Sequence, residues 1–425
     1  MHLTAFRSDK GDCLLLTNQK DTARILVDGG MPHAFTLHVA PALGELRKKG
    51  KNLDLVYVSH IDEDHIGGVL KLLDAEVAWR VHEHQQKSGN ASHKPPTIAR
   101  PPQVGAIWHN AFHEQIKQNA GAIEDALAAA APVLSGAELK SVREEGLKQA
   151  SLVTSINQAI QVSRRVGPKQ LGIPLNSISS GKLIMVRKNQ KAVSIGGMRI
   201  TIIGPMSKYL GELRKKWNDW LDKNQKALET IRAKARGDES RLTTTDFERL
   251  KLTMRLQAEA FGKPDTITPE NLASLMLLVE EDGHSMLLTG DARWDELVDG
   301  LEATGKVQPG QIFTVDVLKV PHHGSKNNVV DTKFLGRVAA KDYVFCGNGK
   351  HGNPHPEVVD LMIEHRLKQP GKFKFWFNSS EAVEDDSDLA EHMADIEKRV
   401  AQAAKKANGR LSFKFLKSGT SVEVV

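Results

Sequence analysis

The chain has 425 residues, which exceeds the roughly 100–200 residues of a typical domain and predicts one large domain with insertions or two domains. Its two cysteines argue against a disulfide framework. No run approaches the roughly 20 apolar residues of a membrane helix, and the N-terminus does not resemble a signal peptide. We therefore predict a cytoplasmic protein with no membrane association. The formal net charge of +6 is a mild bias toward anionic partners.

The N-terminal part of the chain predicts strands followed by a polar loop. The predicted strands are short apolar runs at Leu3 to Phe6, Cys13 to Thr17, Arg24 to Val27 and Leu53 to Val58. The loop after the last of them carries His60, Asp62, Asp64 and His65 and is followed by Gly67-Gly68 and a predicted helix. Because imidazole and carboxylate groups are ligands of divalent cations, this density of polar side chains indicates a metal site.

Two charged, helical segments interrupt the strand pattern. We predict helical insertions at about residues 113–167 and 207–261, with strand character at Lys182 to Arg187 and Val193 to Ile203 between them. Their lysines and arginines could follow a phosphate backbone. The same residues are equally well explained as solvated helix faces, because Asp and Glu are interleaved with them.

The C-terminal part predicts a layered α/β architecture in which His and Asp recur at the ends of strands. The predicted elements are strands at Ser274 to Val279, Ser285 to Leu288, Thr314 to Val320 and Tyr343 to Cys346, with helices at Trp294 to Leu301 and Phe334 to Val338. Three motifs follow these strands: Thr289-Gly290-Asp291, Pro321-His322-His323-Gly324-Ser325, and His355-Pro356. Together with the His/Asp loop they indicate one functional site.

These motifs resemble the metallo-β-lactamase superfamily, and in particular the hydrolase domain of ComEC-type competence proteins. The resemblance covers residues 1 to about 80 and 193 to about 380. It implies an α/β fold, an αββα sandwich with a metal cluster at one edge of two sheets, forming a single domain over residues 1–425 with the two helical insertions. It also implies hydrolytic chemistry, usually on phosphodiesters in this branch.

The resemblance assigns roles to individual positions. The residues that look like metal ligands are His60 and Asp62 for a first ion, Asp64 and His65 with His322 or His323 for a second, and Asp291 as the bridging carboxylate. Asp62 stands where many relatives have His. Asp28 is expected to brace the His/Asp loop by hydrogen bonds, the kind of contact that orients metal ligands.

The sequence departs from the family pattern at one ligand. Many relatives have a Gly-His-Thr motif before Thr-Gly-Asp, and here Asn271, a poor zinc ligand, is the nearest substitute. The first site could use His109 instead, or prefer a harder ion than zinc. We predict two divalent metal ions, with zinc as the first choice and manganese as the second.

The predicted chemistry is attack by a metal-activated hydroxide on a phosphodiester. Imidazole titrates near neutral pH, so His355, or whichever of His322 and His323 is not a ligand, could protonate the leaving oxygen. We count Asp64, His355 and His323 as catalytic residues. Ser325, Lys319, Lys326 and Asn348 could hold phosphate oxygens, although each is equally plausible as a turn or cap residue.

Three functions fit these observations. The first is a metal-dependent phosphodiesterase or nuclease acting on nucleic acid or nucleotides. The second is hydrolysis of a small ester, lactone or thioester, which would leave the basic insertions without a role. The third is a structural or regulatory subunit of a multi-protein complex, whose helical insertions hold a partner protein.

Overall fold

A computed structural model describes residues 1–110, 158–159, 161–211, 274–329 and 331–424. The described residues form two β-sheets that pack face to face, with helices on the outer face of each. This confirms the predicted αββα sandwich. None of the described helices is both long enough and apolar enough to cross a membrane.

The first sheet combines an antiparallel meander with two parallel strands. Within the described chain its strands are β1 His2–Phe6, β2 Leu14–Thr17, β3 Arg24–Val27, β4 Leu55–Val58, β5 Ile107–His109 and β14 Ser421–Glu423, in the order β14-β1-β2-β3-β4-β5. Strands β3, β4 and β5 are mutually parallel, and the other pairs are antiparallel.

The second sheet is antiparallel on one side and parallel on the other. Its described strands are β6 Val193–Ile195, β7 Met198–Gly204, β8 Met276–Glu281, β9 His284–Leu288, β10 Phe313–Lys319, β11 Val338–Phe345, β12 Phe373–Phe377 and β13 Leu411–Phe415. They run in the order β13-β12-β11-β10-β9-β8-β7-β6, and the strands from β9 to β13 are parallel. Parallel neighbours put their carboxyl ends at one sheet edge.

Helices cover the outer faces of both sheets. The first sheet is covered by α1 Pro32–Ala34, α2 Ala40–Lys48 and α3 Glu63–Lys87, and the second by α4 Trp294–Ala303, α5 Pro356–Leu367 and α6 Ser387–Lys406. A π-helical turn, Phe35–Val39, joins α1 to α2.

Alternation along the strands produces three hydrophobic layers. Leu14 and Leu16 of β2 face the core between the sheets, whereas Leu15 faces the helices outside. Successive strand residues point to opposite faces, so a run in which every residue is apolar can serve both layers. This explains why the strands of the predicted sheets are continuous apolar runs rather than alternating ones.

Some predicted elements differ from the structure. Residues Lys182 to Arg187 form no strand. The backbone N–H and carbonyl of Ile184 instead hydrogen-bond to the side-chain amide of Asn110. The helix predicted at Phe334 to Val338 is a 3-10 turn, Thr332–Arg337, and Val338 begins β11.

Most of both insertions lies outside the described residues, and so does Asn271. Residues 161–166 and 207–211 are helical, as predicted, and Val162, Val166 and Leu210 pack into the layer beneath α3. The single-domain organisation and the partner-binding role of the insertions stay predictions.

Candidate metal centre

The His/Asp loop starts at the carboxyl end of β4, and α3 begins earlier than predicted. Helix α3 starts at Glu63, so Asp64 and His65 lie in its first turn rather than in a loop. This places the His65 ring beside that of His60, with 3.9 Å between the ring centroids. Helix geometry therefore sets the relative orientation of the side chains that follow Asp62.

The double glycine allows α3 to pack directly against the strand-end loop that contains Asp28. A Cβ on Gly68 would lie 2.0 Å from the carbonyl oxygen of Gly29, and the Gly68 N–H donates to the Gly30 carbonyl at 3.0 Å. Any side chain at Gly68 would push the helix away. The close approach in turn lets Asp28 reach the ligand cluster.

Histidines from both sheets converge on Asp291. The Nε2 atoms of His65, His322, His323 and His60 lie 3.3, 3.4, 3.5 and 3.6 Å from its carboxylate oxygens. Asp291 follows β9, His322 and His323 follow β10, and the other two histidines follow β4. The motifs that the sequence analysis grouped together are therefore in contact.

A separate group on the protein holds the other ring nitrogen of each of these histidines. The Nδ1 partners are Asp28 for His65 at 2.9 Å, Asp12 for His323 at 3.1 Å, the Ser59 hydroxyl for His60 at 3.1 Å, and the Asn328 amide oxygen for His322. A carboxylate can only accept, so Nδ1 carries the hydrogen in His65 and His323. Such contacts orient imidazoles that bind metal.

This orientation leaves acceptor atoms facing each other. If Nδ1 holds the hydrogen in a neutral ring, Nε2 presents a lone pair toward the Asp291 carboxylate. Among the described residues, the Nε2 atoms of His60, His65 and His323 and Oδ1 of Asp291 are buried without a hydrogen-bond partner. Buried polar atoms are rarely left unpaired, and a cation between them would satisfy all four. The donor set therefore fits divalent metal ions.

The candidate ligands fall into overlapping groups that could each hold an ion. Ligand atoms of His60, His65 and Asp291 lie within 4.8 Å of one another, and so do those of Asp64, His65 and His323. Asp62, with 31% of its side chain exposed, reaches His60 Nε2 at 3.6 Å. His65 belongs to both groups, which the assignment by motif did not anticipate.

Asp28 makes the kind of hydrogen bonds that the family resemblance led us to expect. Its carboxylate accepts hydrogen bonds from the Ser59 N–H and hydroxyl at 2.7 Å each, and from His65. Ser59 immediately precedes His60. Asp28 thus fixes both ends of the segment that carries the first ligands.

The sequence analysis missed Asp12 and misjudged Lys319. Both side chains are fully buried and form an ion pair, and an Asp12 oxygen lies 3.1 Å from His323 Nδ1. The Lys319 ammonium donates to the Gly290 carbonyl at 2.9 Å and lies 3.6 Å from Asp291. It does not line the cavity, so it cannot contact substrate as predicted. The sequence signal for Asp12 was its position just before the apolar strand β2. Asp28 and Asp291 also lie beside apolar strands, but they follow β3 and β9.

The clustered charges shift the pKa values of these groups. Burial alone would lower the pKa of His323, but the carboxylates of Asp291 and Asp12 outweigh it and raise that pKa to about 9. His323 is therefore protonated at neutral pH in the metal-free protein, and a metal ion that binds its Nε2 has to displace that proton. Burial would raise the pKa of Asp291, yet the surrounding imidazoles hold it well below its usual range. Asp291 is therefore a carboxylate at neutral pH, as a ligand must be.

A cavity of about 500 Å³ opens beside the candidate ligands. It is polar, and basic side chains dominate the described part of its wall. The lining residues are Lys10, Asp64, His322, His323, Ser325, Lys326, Asn327, Lys350, His351, Asn353 and His355. Lys10, Lys350 and His351 were not predicted, because each stands in a turn with no apolar strand directly before it.

The remaining predicted residues divide between the cavity and the protein interior. Ser325, Lys326 and His355 line the cavity, and Asn353 contacts His355 Nδ1 at 2.8 Å. Asn348 does not line it: its amide is buried and donates to Glu384 at 2.9 Å, so its predicted contact with phosphate is wrong. Within the part of the chain that the structure describes, His109 belongs to none of the ligand groups.

Comparison with known proteins agrees with the geometry. Residues 8–127 match the model of the metallo-beta-lactamase superfamily. The chain is 32% identical over 110 residues to ComE operon protein 3 of Bacillus subtilis (strain 168). That match covers 25% of this chain and 13% of the relative, so the chain spans only a small part of the relative's length. The resemblance drawn from the motifs is confirmed over residues 8–127, and the two-sheet sandwich is consistent with the metallo-β-lactamase fold.

Proposed function

Starting from this metallo-β-lactamase fold, we propose that the protein is a metal-dependent phosphodiesterase that acts on nucleic acid or nucleotides. The convergence of histidine Nε2 atoms on Asp291 carries the metal-dependent part of the proposal. The lysine-lined cavity beside them supports an anionic substrate. A neutral ester would gain nothing from these charges.

We assign the metal ligands from the groups described above. The proposed ligands are His60, Asp62, Asp64, His65, Asp291, His322 and His323. Imidazole donors favour zinc, and the carboxylates that replace some of the family's imidazoles make manganese the alternative. When bound, two such cations supply an activated water nucleophile and neutralise charge on the phosphoryl oxygens.

The other residues of the site orient the histidine rings and balance the negative charge of the carboxylates. Asp28, Ser59, Asp12 and Asn328 hold the histidines, each by the ring nitrogen that faces away from Asp291. The buried Lys319 offsets part of the negative charge of the carboxylates beside it.

His355 is the proposed proton-transfer residue. It lines the cavity, and Asn353 fixes its ring through Nδ1. Burial and the charge of Lys326 lower the pKa of His355, so its ring is mostly neutral at pH 7. A neutral imidazole that donates through Nδ1 has a lone pair at Nε2, so it can accept a proton there and then pass it to the leaving oxygen.

The test is cleavage by metal-stripped protein reloaded with zinc or manganese. The substrates are bis-p-nitrophenyl phosphate, single- and double-stranded DNA and RNA, and p-nitrophenyl acetate as the neutral ester. We expect one metal to restore phosphodiester cleavage, and Asp64→Ala to reduce it by about 100-fold or more, because a proposed ligand is removed.

Asp360→Ala is the matched control. Asp360 is exposed and pairs with Arg399 on the surface formed by α5 and α6, so its loss leaves the site intact. Cleavage of the acetate ester alone would replace the proposal by the ester-hydrolase function. Metal-loaded protein that cleaves none of these substrates would favour a structural or regulatory role, in which the helical insertions bind a partner protein.

A further inference from the structure

The cavity contains more positive charge than one phosphodiester at the metal centre requires. Lys10, Lys326 and Lys350 all line it, and none of them has an ion-pair partner within 4.0 Å among the described residues. Asp64 is the one carboxylate in the described lining, and it is a proposed metal ligand. The pKa of Asp64 is lowered despite burial, in part by the charge of Lys10, but no direct ion pair neutralises any of the three lysines among the described residues. Such lysines beside a site indicate an anionic group of the ligand.

By the loops that carry them, these lysines fall into two groups. Lys326 stands next to the metal-binding motif, at the start of the 3-10 turn Lys326–Asn328, on the side of His355. Lys10 comes from the turn between β1 and β2, and Lys350 and His351 come from the 3-10 turn Lys350–Gly352 after β11. The second group therefore draws on loops from both sheets.

The loop after β11 is held in place by a hydrogen bond within the loop and by a contact from α6. The Gly349 N–H donates to the Asn353 carbonyl at 2.8 Å, and His392 of α6 contacts the Pro354 carbonyl at 3.0 Å. His351 adopts a positive φ of 58° within this loop. Burial and the charge of Lys10 lower the pKa of His351, which agrees with the two loops being close together.

We propose that Lys10, Lys350 and His351 bind a second phosphate of the substrate, next to the phosphodiester that is cleaved at the metal centre. This inference rests on the proposed function and specifies its substrate: a nucleotide chain or a terminally phosphorylated dinucleotide, rather than an isolated phosphodiester. Lysine ammonium groups and an imidazole N–H provide charge-assisted hydrogen bonds to phosphate oxygens.

The size of the cavity agrees with one strand of nucleic acid. A volume of about 500 Å³ is within the range of roughly 300–1,000 Å³ that small-ligand pockets occupy. The volume is therefore of the order that a nucleotide-sized ligand needs. A single strand could thread its backbone from the second-phosphate group to the metal centre.

The test compares thymidine dinucleotides with and without a terminal phosphate, at the 5′ end and at the 3′ end. Dissociation constants are measured on metal-free protein by calorimetry, and kcat/KM is measured on the metal-loaded enzyme. We expect one phosphorylated form to be preferred by about tenfold in both, as charge-assisted hydrogen bonds would provide.

Substitutions of the three proposed phosphate-binding residues test whether they cause the preference for a phosphorylated dinucleotide. The double variant Lys10→Gln, Lys350→Gln should reduce the preference to less than about twofold, and His351→Gln alone should reduce it partly. Lys406→Gln, which removes the same charge from the exposed end of α6, should keep it.

The outcomes separate this inference from the proposed function. Equal affinity of the wild-type protein for all the dinucleotides would overturn the second-phosphate site, and so would a preference that survives in the double variant. Absence of cleavage with either metal would refute the phosphodiesterase, while the dissociation constants, which need no cleavage, would still decide whether the second phosphate is bound.

Discussion

At the scale of single residues, the site is built from pairs in which one side chain binds and another orients it. Asp12 shows this most clearly, since it touches His323 and Lys319 but faces neither the cavity nor solvent. The nearby cations hold the pKa of Asp12 below its usual range despite burial, which alone would raise it. Asp12 is therefore charged in the folded protein.

Removing that charge is expected to destabilise the metal-free protein. Asp12→Asn removes the nearer of the two carboxylates beside the buried Lys319 ammonium, while Asp291 stays 3.6 Å away. Breaking a buried ion pair typically costs about 3–5 kcal/mol. We expect urea unfolding to show a loss of this size, and Asp12→Asn combined with Lys319→Met to recover much of it.

Asp21→Asn provides the comparison for the same chemical change at the surface. Asp21 is half exposed and pairs with Arg24 and Lys51, so its loss should cost about 1 kcal/mol or less. If Asp12→Asn costs no more than Asp21→Asn, the buried pair does not stabilise the fold.

At the scale of elements, helix α4 carries a buried carboxyl group that does not belong to the site. Glu296 lies in the first turn of α4, and one of its oxygens accepts from the Arg293 N–H at 3.3 Å. The other oxygen has no hydrogen-bond partner among the described residues. Burial raises the pKa of Glu296 to about 8.

This shift predicts a pH-dependent stability. The folded state keeps a proton on Glu296 that the unfolded chain loses near pH 4.5, so between these values the folded state binds more protons. The contribution of Glu296 to stability is therefore fully present below about pH 4.5 and falls as pH rises toward about 8. We expect Glu296→Gln, which stays neutral, to gain about 1–3 kcal/mol relative to wild type between pH 5 and pH 8.5.

Urea unfolding at several pH values measures this difference. Gln at the same position keeps an acceptor for the Arg293 N–H, so the cap is retained in the variant. If the difference in unfolding free energy between wild type and Glu296→Gln does not change with pH, Glu296 ionises normally in the folded protein.

At the scale of the whole molecule, the sandwich brings loops from both sheets to one edge. The first sheet contributes Lys10, Asp12, His60 and His65, and the second contributes Asp291 and the segment from His322 to His355. Neither sheet alone holds a complete ligand group that includes Asp291. The face-to-face packing of the sheets therefore creates the site.

The basic wall of the cavity predicts salt-sensitive binding of single-stranded nucleic acid. Each phosphate contact adds about 0.7 to the steepness of log K against log salt for single strands. We expect Lys326→Gln to reduce the slope by about that amount, measured by fluorescence anisotropy of a labelled oligonucleotide between 50 and 500 mM salt.

The exposed Lys333 serves as the control for this measurement. It pairs with Asp331 outside the described lining of the cavity, so Lys333→Gln should leave the slope unchanged. An unchanged slope in Lys326→Gln would place the nucleic acid elsewhere on the protein.

The sequence by itself determined a layered α/β architecture and the positions of most of the candidate ligands, and its resemblance to a known family implied the sandwich. Apolar strands ending in His or Asp are local patterns, so His60, His65, Asp291 and the histidine pair at 322 and 323 could be recognised without knowing their neighbours. The bracing role of Asp28 came from the family resemblance rather than from a local pattern.

Only the tertiary structure decided which polar side chains face the cavity. Lys319 and Asn348 follow the same strand-end pattern as the ligands, yet both are buried against carboxylates. Lys10 and Lys350 come from turns that look unremarkable in sequence, and the packing of the two sheets brings them to the cavity. Contacts between residues hundreds of positions apart depend on sheet packing, which a local pattern does not record.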